Sequence, residues 1–393
     1  MLANSLELVD APRPPQASKP LLLCPECHQE VQGTGDRYVC PGCGACWPSV
    51  GGVPDFFHAE NYASERITRI ERCISEHPIL GSWDLKLIGR YAASNSEVLE
   101  FRGRNLDLPT LMVKHRMGQL SQESSWNHAR EEFQFVHETW VASDAPFRDT
   151  LPRPIALLPE IGAVVFQRVP GIPFSKFLKQ HANPVTGSLH LRLVRATATR
   201  IGNWLHRLHN LNLAAPTRHN PYSFLSDLKY WLRKALPAGL EPRLAADVWR
   251  AAAQNAMTLD SPCPHSAVHG DFIPQNIFVH PAGVAVIDFG SYRKSNPIYE
   301  DLGMFVAYAR LIANRWIYSR HALEEMVLAF LESYGDQLNP RLLNLYILKS
   351  TTMIFVDQFS PKRIPAKDAA AKRQRIQKRL LDQALIVSRM ETH

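Results

Sequence analysis

Two short apolar runs on either side of residue 280 constrain the fold of this chain more than any other feature. Ile277-Phe278-Val279 and Val284-Ala285-Val286-Ile287 flank a His-Pro-Ala-Gly turn. Short apolar runs bounded by turn residues are typical of buried strands, so the two runs predict a hairpin. Three polar side chains at the strand ends are predicted to stay exposed: Asp271, Asn276 and Asp288.

Carboxylate and amide oxygens in this arrangement suit phosphoryl transfer from a nucleotide. That reaction needs a carboxylate to orient the attacking hydroxyl and accept its proton, and oxygen ligands for Mg²⁺ between the phosphates. Asp271 is the predicted base, and Asn276, five residues later, is predicted to hold the metal together with Asp288. The alternative, that Asp271 and Asn276 only cap a turn, does not explain Asp288 beyond the hairpin.

The spacing of these residues resembles that of a known superfamily. His269-Gly-Asp271, then four residues, then Asn276, then Asp288 on the next hairpin resembles the motif of aminoglycoside phosphotransferases and choline kinases. The resemblance spans roughly residues 83–350. It implies an α+β, bilobal, protein-kinase-like fold, with an antiparallel-sheet N-lobe, a mainly helical C-lobe and the active site between them. It also implies that His269 braces the catalytic loop and that Asp301 tethers it.

The activity implied is that of an ATP- and Mg²⁺-dependent kinase acting on a hydroxyl of a sugar, amino-sugar or amino-alcohol. A protein kinase is disfavoured, because Ile273 stands where those enzymes have a Lys and the segment after Asp288 lacks a long activation loop. A catalytically silent scaffold is a second hypothesis. The filled catalytic positions argue against it.

The strand Thr110–Arg116 carries one central cation, Lys114, which could pair with nucleotide phosphates if a carboxylate on the next helix fixes it. Residues 127–140 predict that helix, because Phe133, Val136 and Trp140 fall on one face. Glu132 is the predicted partner rather than Glu131, since Glu132-Phe-Gln-Phe-Val resembles the superfamily's Glu-aromatic-x-x-Leu.

Two further segments are predicted to contact the nucleotide. Ser94 and Asn95 lie in a turn between two β-rich segments, where hydroxyl and backbone N–H groups could approach phosphates; an ordinary hairpin turn explains them nearly as well. Gly162–Gly171 resembles the superfamily hinge, which implies backbone contacts from Gln167 and Val169 to the adenine edge. Further along, Ile201, Trp204, Leu205 and Leu208 predict a core-facing helix, on which His206 and His209 are expected to pack or hydrogen-bond.

The N-terminal region carries five of the seven cysteines. Two Cys-x-x-Cys pairs twelve residues apart, each in a tight turn, suit four-coordinate structural Zn²⁺. The predicted ligands are Cys24, Cys27, Cys40 and Cys43. Disulfides or unliganded thiols are the alternatives. The stretch resembles the zinc ribbon of some bacterial methyltransferases, although no methyltransferase body follows it.

The net charge of +7 is concentrated near the C-terminus, where residues 362–379 hold eight basic residues and one acidic residue. Contact of this segment with nucleic acid or an acidic membrane surface is one interpretation, and a solvated helix is the other. Nucleic acid or a protein is a candidate partner for the segment or the ribbon. No apolar run is long enough to span a membrane and the N-terminus lacks a secretion signal, so a cytoplasmic location is expected.

The expected domain order follows from these features. It comprises a flexible lead, a zinc ribbon, a helical connector, an N-lobe, a helical C-lobe with the catalytic loop, and a basic C-terminal helix: residues 1–20, 21–57, 58–82, 83–170, 171–360 and 361–393.

Overall fold

The structure is a computed structural model. It describes residues 22–23, 30–33, 37–40, 46–50, 53–54, 62–92, 96–105, 107–116, 122–211, 213–215, 217–335, 338–359 and 369–390. The chain forms two compact units, Met1–Ser82 and Trp83–His393. Within the described ranges, no helix is long and apolar enough to cross a membrane.

In the residues that the structure describes, the first unit contains a four-stranded sheet and one α-helix. The strands run in the order β1-β2-β3-β4. Their bounds, with that of the helix, are β1 Gln32–Gly33, β2 Arg37–Val39, β3 Cys46–Val50, β4 Val53–Pro54 and α1 Tyr62–Glu76. The helix α1 lies in the segment predicted as a helical connector, and a 3-10 turn at Leu80–Trp83 follows it.

Of the four predicted zinc ligands, only one lies in the described part of this unit. Cys40 is buried next to Val31 and Trp47, whereas Cys24, Cys27 and Cys43 lie outside the described residues. No group of three or more His, Cys, Asp or Glu side chains that could hold a metal ion occurs among the residues the structure describes. The zinc ribbon therefore stays a prediction.

The second unit begins with a five-stranded antiparallel sheet in the order β5-β6-β7-β9-β8. Its strands are β5 Leu85–Ala92, β6 Ser96–Gly103, β7 Leu111–Arg116, β8 Pro154–Leu158 and β9 Ala163–Gln167. Between β7 and β8 lie α2 Gln122–Ala142 and α3 Ala145–Arg148. The strand predicted around Lys114 is the central strand β7, where Lys114 pairs with Val98 on one side and Val164 on the other.

The rest of the unit is mainly helical. Its helices are α4 Phe174–His181, α5 Leu191–Leu211, α6 Pro221–Ala235, α7 Pro242–Thr258, α8 Tyr299–Ile312, α9 Arg320–Tyr334, α10 Pro340–Phe359 and α11 Ala369–Arg389. The predicted stripe on α5 is confirmed, since Ile201, Trp204, Leu205 and Leu208 are all buried. An antiparallel sheet followed by a mainly helical part is the α+β arrangement expected from the sequence.

Seven short strands among the described residues precede or separate these helices. They are β10 Ile172–Pro173, β11 Thr217–Arg218, β12 Pro262–Cys263, β13 His265–Val268, β14 Ile277–His280, β15 Gly283–Val286 and β16 Arg293–Pro297. The predicted hairpin is confirmed as β14 and β15, with Ile277 opposite Val286 and His280 opposite Gly283. The loop between β13 and β14 therefore has a fixed strand at each end.

The basic C-terminal helix is part of the helical core. α11 packs against α7 and α10, and Ile376, Leu380, Ala384 and Val387 on one of its faces are buried. The segment 362–379 is therefore not solvated on every side where the structure describes it, because apolar residues alternate with the basic ones at helical spacing.

Candidate active site

The second residue of the loop from His269 to Asn276 is a glycine. Its backbone conformation is one that other residues rarely adopt. Gly270 has φ of 80°, and a Cβ at this position would lie 2.1 Å from the carbonyl oxygen of Ser291. Positive φ and close backbone approach are both conditions that favour glycine. This explains physically why Gly stands between His269 and Asp271.

A buried carboxylate holds the start of this loop. Asp301, which is fully buried near the first turn of α8, accepts hydrogen bonds from the backbone N–H groups of His269 at 2.7 Å and Gly270 at 2.8 Å. The Nε2 of His209 lies 3.1 Å from the same carboxylate, and its Nδ1 lies 2.7 Å from the Tyr334 hydroxyl. The tethering role predicted for Asp301 and the hydrogen-bonding role predicted for His209 are thus confirmed.

His269 links the loop to the end of the hairpin. Its Nε2 lies 2.9 Å from the Ile287 carbonyl oxygen, and the backbone N–H of Asp271 donates to its Nδ1 at 3.2 Å. Because a carbonyl can only accept and an N–H can only donate, these partners assign the neutral tautomer with the proton on Nε2. The fully buried ring therefore connects the backbone of Asp271 to the strand that leads to Asp288, an arrangement that fits the predicted bracing role.

Asp271 and Asn276 contact each other across the loop. The Nδ2 of Asn276 donates to the Asp271 carboxylate at 2.9 Å and to the Asp271 backbone carbonyl at 3.0 Å. Burial raises the pKa of Asp271, and the negative charges of Asp288 and Asp357 raise it further, against the opposing effect of the hydrogen bond from Asn276. A raised pKa makes the carboxylate a better proton acceptor.

Asp288 follows the hairpin in a strained conformation. Its φ of 68° and ψ of 63° lie in the left-handed region, which is sparsely populated by residues other than glycine. Its Oδ1 lies 2.5 Å from the Nζ of Lys114, and 41% of its side chain is exposed. Desolvation in the cleft would raise the pKa of Asp288, but the Lys114 ammonium outweighs it and holds the pKa below its ordinary value.

Lys114 joins the sheet, the helix α2 and the hairpin. Its Nζ lies 2.8 and 2.9 Å from the two carboxylate oxygens of Glu132. Glu132 is buried and Glu131 is exposed, so the predicted choice between them fits the geometry. Burial alone would lower the pKa of Lys114, but Glu132 and Asp288 together raise it. The side chain is therefore a fixed cation beside Asp288.

The donor set at Asp288 and Asn276 fits a divalent cation of the Mg²⁺ type. Both residues offer hard oxygen donors, and since the Nδ2 of Asn276 is taken by Asp271, its Oδ1 is the atom left to bind a metal. The mutual repulsion that raises the pKa of Asp271 also favours a cation near both carboxylates. A bound Mg²⁺ would neutralise charge on the nucleotide phosphates.

The remaining predicted nucleotide contacts are only partly described. Ser94 and Asn95 lie outside the described residues. The backbone N–H of Gln167 donates to the Arg153 carbonyl at 2.9 Å, so Gln167 could offer an adenine only its carbonyl oxygen. Val169, two residues after β9, is buried, and its contact with an adenine stays a prediction.

Three residues beside Asp271 were not found from the sequence. Gln275 donates to the hydroxyl of Tyr308 on α8. Asp357, an exposed residue near the end of α10, lies close enough for its charge to raise the pKa values of both Asp271 and Tyr308. Tyr308 and Asp357 belong to helices that carry no recognisable local motif, so no sequence signal pointed to them.

We expect Lys114→Met to lower the rate of nucleotide-dependent turnover by about 10²–10³-fold, because it removes the cation that is predicted to bind the nucleotide phosphates. The Kd for Mg-ATP, measured by calorimetry, should rise in parallel. Lys86→Met, which removes an exposed Lys from the edge strand β5 of the same sheet, is the matched control and should leave both quantities unchanged. Equal behaviour of the two variants would contradict the phosphate role of Lys114.

Similar folds occur among small-molecule kinases of known structure. A choline kinase from Cryptosporidium parvum Iowa II has a TM-score of 0.53 and 11% identity, covering 83% of this chain and 97% of its own. A choline kinase from Streptococcus pneumoniae has a TM-score of 0.51 and 13% identity, covering 81% and 99%. A glucosamine kinase has a TM-score of 0.50 and 13% identity, covering 81% and 98%. At these identities the likeness shows the fold alone.

Sequence comparison is more specific than the structural likeness. No curated protein matches the chain significantly. The model of the phosphotransferase enzyme family, APH, matches residues 125–344, which include Glu132, Asp271, Asn276 and Asp288. Because this match covers more than half of the sequence, the chain belongs to the phosphotransferase enzyme family.

Proposed function

We propose that this protein transfers the γ-phosphoryl group of ATP, bound with Mg²⁺, to a hydroxyl group of a small molecule. The observation that carries the proposal is the convergence of Asp271, Asn276 and Asp288 beside the ion pair of Lys114 and Glu132. Family membership supports phosphotransfer in general, and the assignment of roles to these side chains is our own.

Each side chain has one task in this mechanism. Asp271 accepts a hydrogen bond from the acceptor hydroxyl, orients it towards the γ-phosphorus and takes its proton. Asn276 fixes the Asp271 carboxylate through its Nδ2, and its own oxygen, together with the Asp288 carboxylate, would hold the Mg²⁺ ion. Lys114, held by Glu132, holds the phosphates. Catalysis then depends mainly on positioning and on charge stabilisation.

The segment after Asp288 supports a small-molecule acceptor rather than a protein. Phe289–Ser291 forms a single 3-10 turn, and β16 then pairs with β13 and leads directly into α8. No activation segment of the kind that binds a peptide in protein kinases intervenes between residues 289 and 300, all of which are described. The filled catalytic positions favour an enzyme over a silent scaffold.

The surroundings of Asp271 support an acceptor that carries a positive charge. Asp357 adds a third carboxylate to those of Asp271 and Asp288, and its charge acts on Asp271 and Tyr308. An ammonium group on the acceptor would be attracted to Asp357 while a nearby hydroxyl reached Asp271. Among the acceptors suggested by the superfamily, this favours an amino-sugar or amino-alcohol over a neutral sugar.

A panel of hydroxylated metabolites, with and without an amino group, tests the proposal through acceptor-dependent formation of ADP. We expect turnover with an amine-bearing acceptor. Asp357→Asn should raise the KM of that acceptor about two- to fivefold, as befits an exposed charge pair, and leave kcat unchanged. The exposed Asp107→Asn is the matched control. Turnover with no member of the panel would count against the activity, and an equal KM change for neutral acceptors would count against the charge argument.

The N-terminal unit and the tail carry separate proposals. We propose that Cys24, Cys27, Cys40 and Cys43 bind one structural Zn²⁺ within a ribbon at 21–57, which the buried Cys40 and the two Cys-x-x-Cys pairs support. We also propose the other domain boundaries: a helical connector, an N-lobe, a helical C-lobe and a basic C-terminal helix at 58–82, 83–170, 171–360 and 361–393. A nucleic-acid or protein contact through the ribbon or the basic segment belongs to the same set.

A further inference from the structure

A cavity lies among helices of the C-terminal part and is lined by residues outside the catalytic loop. It is formed by α8, α10 and α11 and has a volume of about 410 Å³, including its open mouth. Its polar lining consists of Arg310, Thr351, Arg379, Asp382 and Gln383, and aliphatic side chains form the rest. The cavity thus combines two arginines from two different helices with one carboxylate.

The two arginines are held in place by neighbouring side chains. The Nη1 of Arg310 donates to the Oε1 of Gln383 at 2.9 Å, and the Nε2 of Gln383 donates in turn to the Asn344 carbonyl at 3.1 Å. The Nη2 of Arg379 donates to the Oδ1 of Asn314 at 2.5 Å. Both guanidinium groups are therefore fixed by neutral oxygens before any ligand arrives.

These hydrogen bonds do not neutralise the positive charges of the two arginines, and they leave one N–H donor of Arg379 without an acceptor in the described part of the chain. The nearest carboxylate oxygen of Asp382 is 3.9 Å from the Nη1 of Arg379, which is too long for a hydrogen bond. The Nε of Arg379 is buried and has no hydrogen-bond partner among the described residues. Burial lowers the pKa of Arg310, and the positive charge of Arg379 lowers it further, so the two cations repel each other. Asp382 is the only carboxylate in the described lining of the cavity, and Glu324, whose charge also acts on Arg379, is paired with Arg320.

We propose that this cavity binds a small anion, a phosphate or a carboxylate, between the guanidinium groups of Arg310 and Arg379. Planar guanidinium groups present paired N–H donors that match the oxygens of both anions. Such an anion would supply the Arg379 Nε with an acceptor and would separate the two positive charges. Since α8 also carries Asp301, the anion would contact the helix that holds the catalytic loop.

Thermal unfolding and calorimetry of the full chain, with inorganic phosphate as the probe, test this site. Phosphate should raise the Tm saturably, as expected for a ligand that binds only the folded state. Arg310→Gln and Arg379→Gln should each weaken phosphate binding about tenfold or more, the effect of losing a charge-assisted hydrogen bond. Arg375→Gln, an exposed position on α11, is the matched control and should bind phosphate as the natural chain does.

Two further arms locate the anion and identify it. Lys114→Gln should keep the phosphate-induced rise in Tm, because the nucleotide cleft is not the site; loss of the rise in this variant, with Arg379→Gln unaffected, would overturn the proposal. Acetate in place of phosphate shows whether the site prefers a carboxylate or a phosphate ligand.

Arg379→Lys keeps the positive charge but loses the Nε donor. This variant should also weaken anion binding, and it tests the site if the Gln variants fail to fold. No saturable rise with either anion would equally refute the site.

Discussion

The Asp271→Asn variant is expected to lose about 10²–10⁴-fold in kcat while its Kd for Mg-ATP stays within a factor of about two, because only the proton acceptor is removed. Asparagine keeps the shape of the side chain, and the backbone N–H bond to His269 is unaffected. Single-turnover kinetics and calorimetry with Mg-ATP separate the two quantities. The exposed Asp107→Asn should match the natural chain in both.

The pH dependence of the same step has a defined sign. A base must be deprotonated to act, and burial together with Asp288 raises the pKa of Asp271 above its ordinary value. The kcat should therefore be maximal at pH values above the raised pKa of Asp271 and should fall as the pH decreases through that pKa. The residual activity of Asp271→Asn should lack this acidic limb. An unchanged kcat, or an acidic limb that persists in the variant, would rule Asp271 out as the base.

The Asp301→Ala variant is expected to lose about 3–5 kcal/mol of unfolding free energy, the usual effect of removing one partner from a buried charged network. Asp301 is fully buried and accepts bonds from the backbone of His269 and Gly270 and from His209. Alanine would leave two backbone N–H groups buried without an acceptor and release the loop that positions Asp271. Activity should fall with stability. Denaturant titration at constant m-value measures the loss.

Two variants control for this effect. Asp301→Asn keeps one acceptor oxygen and should cost less than Asp301→Ala. Asp260→Ala removes an exposed carboxylate that pairs with Arg218 and should change the unfolding free energy by no more than about 1 kcal/mol. If Asp301→Ala unfolded at the same denaturant concentration as Asp260→Ala, the carboxylate would not be holding the loop.

The parts of the molecule that the sequence predicted are those that local chemistry determines. The hairpin followed from two apolar runs around a turn, and the spacing of Asp271, Asn276 and Asp288 around it follows from chain geometry. The proximity of a strand and the next helix along the chain indicated a partner for Lys114, and the resemblance to the superfamily's Glu-aromatic-x-x-Leu selected Glu132. In each case the signal lies within a few tens of residues.

The parts that the sequence did not predict depend on contacts between distant segments. Asp357 and Tyr308 meet the loop of Asp271 only because α8 and α10 pack beside it, and neither helix has a motif. The charge run at 362–379 predicts a solvated face or a nucleic-acid contact, whereas Arg379 lines a cavity together with Arg310. The backbone N–H of Gln167 is likewise not free for an adenine, because it donates to the Arg153 carbonyl. No local sequence pattern specifies this contact.

Whether the oxygens of Asp288 and Asn276 hold one divalent ion can be decided by titrating Mg²⁺ calorimetrically into protein saturated with a non-hydrolysable ATP analogue. Because Mg²⁺ affinity depends on the number and charge of its oxygen ligands, Asp288→Asn and Asn276→Ala should each weaken it about tenfold or more. Asp107→Asn should leave it unchanged. Mg²⁺ binding equally tight in all three variants would contradict the proposed active site.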